Sequence, residues 1–596
     1  MPLRRIVPLI ALALLVQAVT RLAAAEPAAV TVAHIRLSGA LDEAPAADDP
    51  LFGNGGENLR MKLERIKKAR DDKSVKALYL EIDGLSVGWG KLDELRRAVA
   101  DFRASGKKAF AYLEGGESKD YLAALACDEV AMPEPAWLML TGMRAEVSFY
   151  KGLFDKLGVK ADMLQMGDFK GAAEPYTRSE MSPQFRKQME TVIDDYFDKG
   201  LVATVAEARK GKGLTAEKVK KLIDEGPYSA KAAAAAGLID RVAYADDFKA
   251  SFKAELKVDD LKIVKDYEKE KSKDVNLSNP FEILKLLSPS KPKESKNAKV
   301  AVIYATGVIT SGKSSASLFG EETCGSTTLI EAIRKAEDDK TVKAIVLRVD
   351  SPGGSALASD LIWQALMKCK KPVVASMSDT AASGGYYISM AAKTIYAEPG
   401  TLTGSIGVVG GKIVTGGLEN KVGLTTDIIA RGANAGILST ATPFSDSERK
   451  AMTGLMKDTY DGFVSKALEG RKRAGRSMTR EQLLELAGGR VWTGRQAKAN
   501  GLVDEVGTVA DAVMAARKLA GVPEKDKLEI LELPPSRSFL DSLMESRGEG
   551  DAESRALGRV LRDVPELSES LREVGALLRL RGEPVWAVLP CRVRVR

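Results

Sequence analysis

The sequence predicts an α/β protein made of two tandem copies of one domain. Three observations predict it. From Val30 onward, short apolar runs alternate with amphipathic helical runs, the pattern of largely parallel sheets covered by helices. The second half then repeats the first at an offset that stays between 264 and 267 residues. Between the copies, residues 269–299 are rich in Lys, Ser, Asn and Pro, the composition of an exposed linker.

Taken in order, the chain opens Met1-Pro-Leu-Arg-Arg, followed by an apolar run from Ile6 to Val19 and then Ala23-Ala-Ala-Glu-Pro. A basic start, an apolar centre and small residues describe a secretory signal cleaved near Ala25 or, if uncleaved, an N-terminal anchor; the run is short for a membrane span. Either way the body after Glu26 is expected outside the cytoplasm. Residues 26–268 form the first repeat. Within it Val75 to Asp83 reads as a strand, and Lys91 to Phe102 as a helix with Leu92, Leu95 and Val99 on one face. Residues 300–534 form the second repeat. Glu64-Arg-Ile-Lys-Lys-Ala-Arg-Asp-Asp-Lys answers Glu331-Ala-Ile-Arg-Lys-Ala-Glu-Asp-Asp-Lys, Glu134-Pro answers Glu398-Pro, and Ala236-Gly-Leu-Ile-Asp answers Asn500-Gly-Leu-Val-Asp. Residues 535–596 are a charged tail with leucines at helical spacing; its basic end reads as a solvated terminus or an edge strand.

Composition narrows the function. Of 596 residues 45% are hydrophobic and 29% charged, ordinary for globular protein. The net charge of +7 tolerates an acidic membrane surface but does not suggest nucleic acid. The single histidine, His34, and four scattered cysteines (Cys127, Cys324, Cys369, Cys591) argue against zinc, and no cofactor is expected. The cysteines read as small buried residues.

The candidate chemistry sits where the copies differ. The second has Asp350-Ser-Pro-Gly-Gly-Ser at a strand end and Thr403-Gly-Ser-Ile-Gly after another; the first has neither, so Ser405 has no counterpart. Conversely Lys170, in Gly167-Asp-Phe-Lys-Gly-Ala-Ala-Glu-Pro, falls opposite Ala435. Each half keeps what the other lost. A serine nucleophile needs a base, and with no histidine near, a desolvated lysine serves. Burial beside Phe169, Ala172 and Ala173 would lower its pKa from about 10.4. Gly353 and Gly354 lie in a strand-to-helix turn whose N–H groups can face an oxyanion, with a second donor expected near Ser405 itself. Ser383, in Asp379-Thr-Ala-Ala-Ser-Gly-Gly-Tyr-Tyr, is a competing nucleophile; it could instead bond Lys170 or line the groove. Asp350 and Glu174 read as structural.

These stretches, with Phe169-Lys-Gly-Ala-Ala-Glu-Pro-Tyr and Gly489-Arg-Val-Trp-Thr-Gly, resemble the long duplicated form of the signal peptide peptidase A family, over about Val30 to Leu533. The resemblance implies a ClpP/crotonase-like fold and a Ser–Lys dyad, with Ser405 as nucleophile and Lys170 as base. It also implies a bowl-shaped oligomer, expected to be a homotetramer. Its substrates would be hydrophobic peptides, such as released signal peptides, cleaved at the outer, periplasmic face of the cytoplasmic membrane. The alternatives are a crotonase-type acyl-thioester enzyme, which export disfavours, and a non-catalytic membrane scaffold, which one intact Ser–Lys pair disfavours.

Overall fold

The computed structural model describes residues 30–44, 57–269, 295–315, 323–535 and 585–588, and the backbone of 594–595. The expected signal or anchor, most of the linker, most of the tail and Cys591 lie outside the described residues.

The duplication is visible in the strand order. One sheet runs Arg241–Val242, Glu129–Met132, Lys108–Leu113, Val75–Leu85, Val30–Gly39, Leu261–Val264, all parallel. The other runs Glu505–Val506, Thr394–Ala397, Val373–Ala382, Val342–Ser351, Ala298–Thr306, Leu528–Leu533, again parallel and in the corresponding order. Two short strands, Leu402–Gly404 and Val491–Thr493, extend the second sheet beside Val373–Ala382. The chain is thus two tandem α/β domains. The central strands are apolar almost throughout because helices cover both faces: Ala77, Leu78, Tyr79 and Leu80 are all buried, as are Ala344 to Leu347. The expected helix near Lys91 spans Trp89–Ala104 and buries Leu92, Leu95, Val99 and Phe102.

Two elements exceed their expected bounds. The linker's last two residues, Ala298 and Lys299, are already strand, captured by Leu528 on one side and Val342 on the other. The strand expected over Pro372 to Ser376 continues to Ala382. Its polar stretch Ser378-Asp-Thr looks like a turn in sequence. Pairing with Ser351 and with Leu402–Gly404 holds it extended.

A third sheet joins the repeats. Its order is Thr323–Gly325, Val308–Thr310, Gly353–Ser355, Val585–Val588, Val408–Val414, Lys160–Met166. The last strand belongs to the front half and pairs antiparallel with the back half from Lys160↔Val414 to Met166↔Val408. Buried ion pairs close the seam elsewhere. The Arg348 guanidinium donates to Glu43 at 2.8 and 2.9 Å, to Glu94 at 2.7 Å and to Ser376 Oγ at 2.9 Å. Lys91 Nζ lies 2.9 Å from Asp350 and 3.4 Å from Asp379.

Candidate active site

Lys170 follows the strand Lys160–Met166 that the front half lends to the back, so the local fold delivers it to the seam. The delivery depends on glycines. A Cβ on Gly489, which has φ +85°, would sit 2.5 Å from the Lys170 backbone; one on Gly167 would sit 2.4 Å from Gly488. Phe169 N–H donates to Gly488 C=O at 2.9 Å. The Gly488-Gly489-Arg490 turn is therefore a bed on which the lysine loop lies.

The Lys170 side chain is fully buried. Its Nζ lies 2.7 Å from Ser383 Oγ, 2.9 Å from Ser405 Oγ and 3.0 Å from Ser405 C=O. None of these partners is a carboxylate. Burial alone holds the amine well below the usual lysine range, because nothing nearby compensates an ammonium. A neutral amine has two N–H donors and one lone pair. It can donate twice and still accept a proton from one serine hydroxyl.

Both serines adopt backbone conformations unusual outside glycine: φ 53° at Ser405 and φ 54° at Ser383. Ser383 stands between the strand Val373–Ala382 and the short helix Gly384–Ser389. Its N–H donates to Gly404 C=O at 2.8 Å, so the two serine segments hold one another. The equivalent helix of the front half, Ser118–Ala124, begins after Glu117, so the front copy lacks this serine as well.

Gly353 has φ +98°, and a Cβ there would lie 2.0 Å from the Ala587 carbonyl oxygen and 2.7 Å from Gly384 N. A Cβ on Gly354 would lie 2.0 Å from Ile309 C=O. The turn is set from below by Ser351 Oγ, which accepts from Gly353 N–H at 3.1 Å and donates to Gly307 C=O at 2.6 Å. The second oxyanion donor expected at Ser405 is otherwise engaged: Ser405 N–H donates to Arg490 C=O at 2.6 Å.

Asp350 and Glu174 are supports. Asp350 accepts from Thr380 N–H at 3.1 Å and pairs with Lys91; Glu174 accepts from Ser182 N–H and Oγ–H at 2.8 and 2.6 Å. Sequence reasoning did not find Gly384, the Gly488–Arg490 bed or Lys91. The signals available were the Gly-Gly after Ser383, read above only for its serine, and the Gly488-Gly489 pair, of which only Gly489 entered, as part of the resemblance.

The chain matches Peptidase family S49 twice, over residues 101–259 and 365–523. The chain belongs to peptidase family S49. The chloroplastic serine protease SPPA of Arabidopsis thaliana is 35% identical over 82% of this chain and 70% of its own length. Protease 4 of Haemophilus influenzae is 31% identical over 80% of this chain and 76% of its own. Protease 4 of Salmonella typhi is 31% identical, covering 83% and 78%. The chain is a serine peptidase, with one S49 match in each repeat. The two matches fall on the two tandem α/β domains that the corresponding sheets define. No helix among the described residues is long and apolar enough to cross a membrane.

Proposed function

We propose that this S49 peptidase hydrolyses extended hydrophobic peptides with a Ser–Lys dyad formed within one chain, Lys170 acting as general base. The observation that carries the reading is the Lys170 amine, fully buried, without a carboxylate in contact, and 2.7–3.0 Å from two serines of the other repeat.

Of the two serines, the geometry favours Ser383 as nucleophile over Ser405, the one the resemblance assigned. Ser383 adjoins the Gly353 turn and Gly384, against which the protein's own Ala587 carbonyl oxygen sits, a position that the carbonyl of a scissile bond would share. Both backbone groups of Ser405 face elsewhere, its N–H to Arg490 and its C=O to Lys170. Ser405 then positions the amine, leaving the Lys170 lone pair for Ser383.

The reaction follows. Neutral Lys170 takes the Ser383 proton as Oγ attacks the scissile carbonyl carbon. Gly384 N–H, beside the Gly353 turn, is the donor that faces the developing oxyanion, the Gly353 N–H itself being held by Ser351 Oγ. The ammonium then protonates the leaving amine, giving an acyl-serine and a shortened peptide. A water deprotonated by Lys170 attacks the ester, releases the acid and restores Ser383.

Released signal peptides at the periplasmic face of the cytoplasmic membrane, membrane-surface contact and assembly as a homotetramer belong to the same proposal. Support comes from the exported-type N-terminus and from the small and apolar side chains Ala172, Ala173, Val308 and Val409 that pack together beside the lysine loop. Neither nucleic acid nor a cofactor has a part in it. The test is digestion of a synthetic signal peptide in mixed micelles, with a charged peptide of equal length as control. Preferential cleavage of the apolar peptide is expected. Equal cleavage would reject the substrate class, and no cleavage of either would reject the mechanism.

A further inference from the structure

The strand Val585–Val588 is four residues long, yet it holds the third sheet together. It lies antiparallel to Gly353–Ser355 on one side (Gly353↔Val588, Gly354↔Ala587, Ser355↔Trp586) and to Val408–Val414 on the other (Val409↔Trp586, Gly410↔Val585). Without it the sheet would be two separate pieces. The slot it fills is bounded by the glycine turn beside Ser383 and by the strand that follows Ser405. Its side chains alternate as in a bound peptide. Val585 and Ala587 pack with Ala356, Val408, Phe444, Met452 and Met456; Trp586 and Val588 pack with Ala172, Ala173, Val308 and Val409. Ala587 is 0% exposed and Trp586 4%.

A few residues further on, Arg594–Val595 pairs antiparallel with Ala145–Glu146 (Arg594↔Glu146, Val595↔Ala145). At the repeat offset of 264, Ala145 and Glu146 correspond to Val409 and Gly410. The tail therefore adds a strand to equivalent positions of both repeats, one beside the dyad and one where the dyad residues are missing.

We propose that Val585–Val588 is an intramolecular occupant of the substrate groove, held as an extended peptide is held, and that it must leave before a substrate can bind. The proposal rests on the peptidase reading above. Strand addition between two exposed edges is a recognised mode of peptide binding. Tethering gives the occupant a standing advantage over a free peptide, because its effective concentration is fixed by the chain. Two repeats sharing one tail explain why the second contact lies on the front half: it keeps the released strand near.

The test uses the full chain carrying Ala587→Arg or Trp586→Asp, with Trp586→Phe as the conservative control. Ala587→Arg puts a long charged side chain where the wall is closed by Phe444, Met452 and Met456; Trp586→Asp buries an unpaired carboxylate. The readouts are kcat and KM on an apolar chromogenic peptide ester, and amide hydrogen exchange at Gly354, Ser355, Val409 and Gly410. Both disruptive variants should show faster exchange at these amides and a KM lowered about tenfold or more, with kcat little changed and Trp586→Phe close to wild type. Added Pro-Val-Trp-Ala-Val peptide should inhibit the disruptive variants and restore protection. Unchanged exchange would overturn the proposal. So would faster exchange accompanied by a higher KM, which would make the strand a fixed wall of the sheet. Absence of hydrolysis in every protein would count against the peptidase mechanism instead, and exchange together with added peptide would still decide whether the slot takes a peptide.

Discussion

Lys170 Nζ lies 2.7 Å from Ser383 Oγ across 213 residues of sequence and across the seam between two repeats. Neither repeat holds both groups. The contact exists because the front half lends the strand Lys160–Met166 to a sheet of the back half, and because the Gly488-Gly489 turn lets the lysine loop approach.

Replacing Lys170 by Met keeps an apolar side chain of similar length and removes the base. General-base catalysis is worth about 10²–10⁴-fold, so kcat should fall by that order. In the wild type the acid limb of kcat/KM should have its midpoint well below the ~10.4 of an ordinary lysine, because burial depresses the amine. A midpoint near the ordinary value would mean the lysine titrates as if exposed.

The same depression predicts a stability effect. Above its unfolded pKa, Lys170 is neutral in both states and costs nothing. As pH falls through that value toward the lower folded value, the unfolded chain binds a proton that the folded chain does not, so stability decreases. Lys170→Met abolishes this. The Tm of the variant relative to wild type should rise steadily as pH is lowered from about 10.5 toward neutrality. A pH-independent difference would contradict a depressed folded-state pKa.

Gly489→Ala should displace the lysine without touching a reacting group. The added Cβ meets the Lys170 backbone at 2.5 Å and the residue keeps φ +85°. Overpacking of this kind costs about 1–3 kcal/mol. Activity should fall more steeply than stability, measured as kcat against the denaturation midpoint. Full activity in the alanine variant would show that the loop relaxes at no cost.

Arg348→Met should be the most damaging change at the seam. Glu43 and Glu94 would be left buried without their cation. Removing one partner of a buried ion network costs about 3–5 kcal/mol. Chemical denaturation should show a loss of that size, partly recovered by also replacing Glu43 with Gln and Glu94 with Gln.

Much of this was legible in the sequence. The offset between Glu64 and Glu331 already implied two equal sheets, and the reciprocal absence of Lys170 and Ser405 pointed to a shared site. What sequence could not give was the third sheet. Its strands come from three distant stretches, and a four-residue run such as Val585–Val588 has no periodicity of its own to read. The choice between two serines was equally hidden. Each has a glycine on one side, Gly384 after Ser383 and Gly404 before Ser405, and what separates them is that Ser383 stands beside the Gly353 turn, a neighbour far away in the sequence. Nothing local in the sequence marks Arg348 or Lys91, because their carboxylate partners lie hundreds of residues away.

The most direct test is labelling by a serine-directed fluorophosphonate, mapped by peptide mass spectrometry and followed with pH in wild type, Ser383→Ala, Ser405→Ala and Lys170→Met. The expected result is a single label on Ser383, with a rate that rises with pH to a midpoint well below that of free lysine. The label should be abolished in Ser383→Ala, slowed in Ser405→Ala and nearly lost in Lys170→Met. A label that persists undiminished in Lys170→Met would contradict the account, whichever serine carried it.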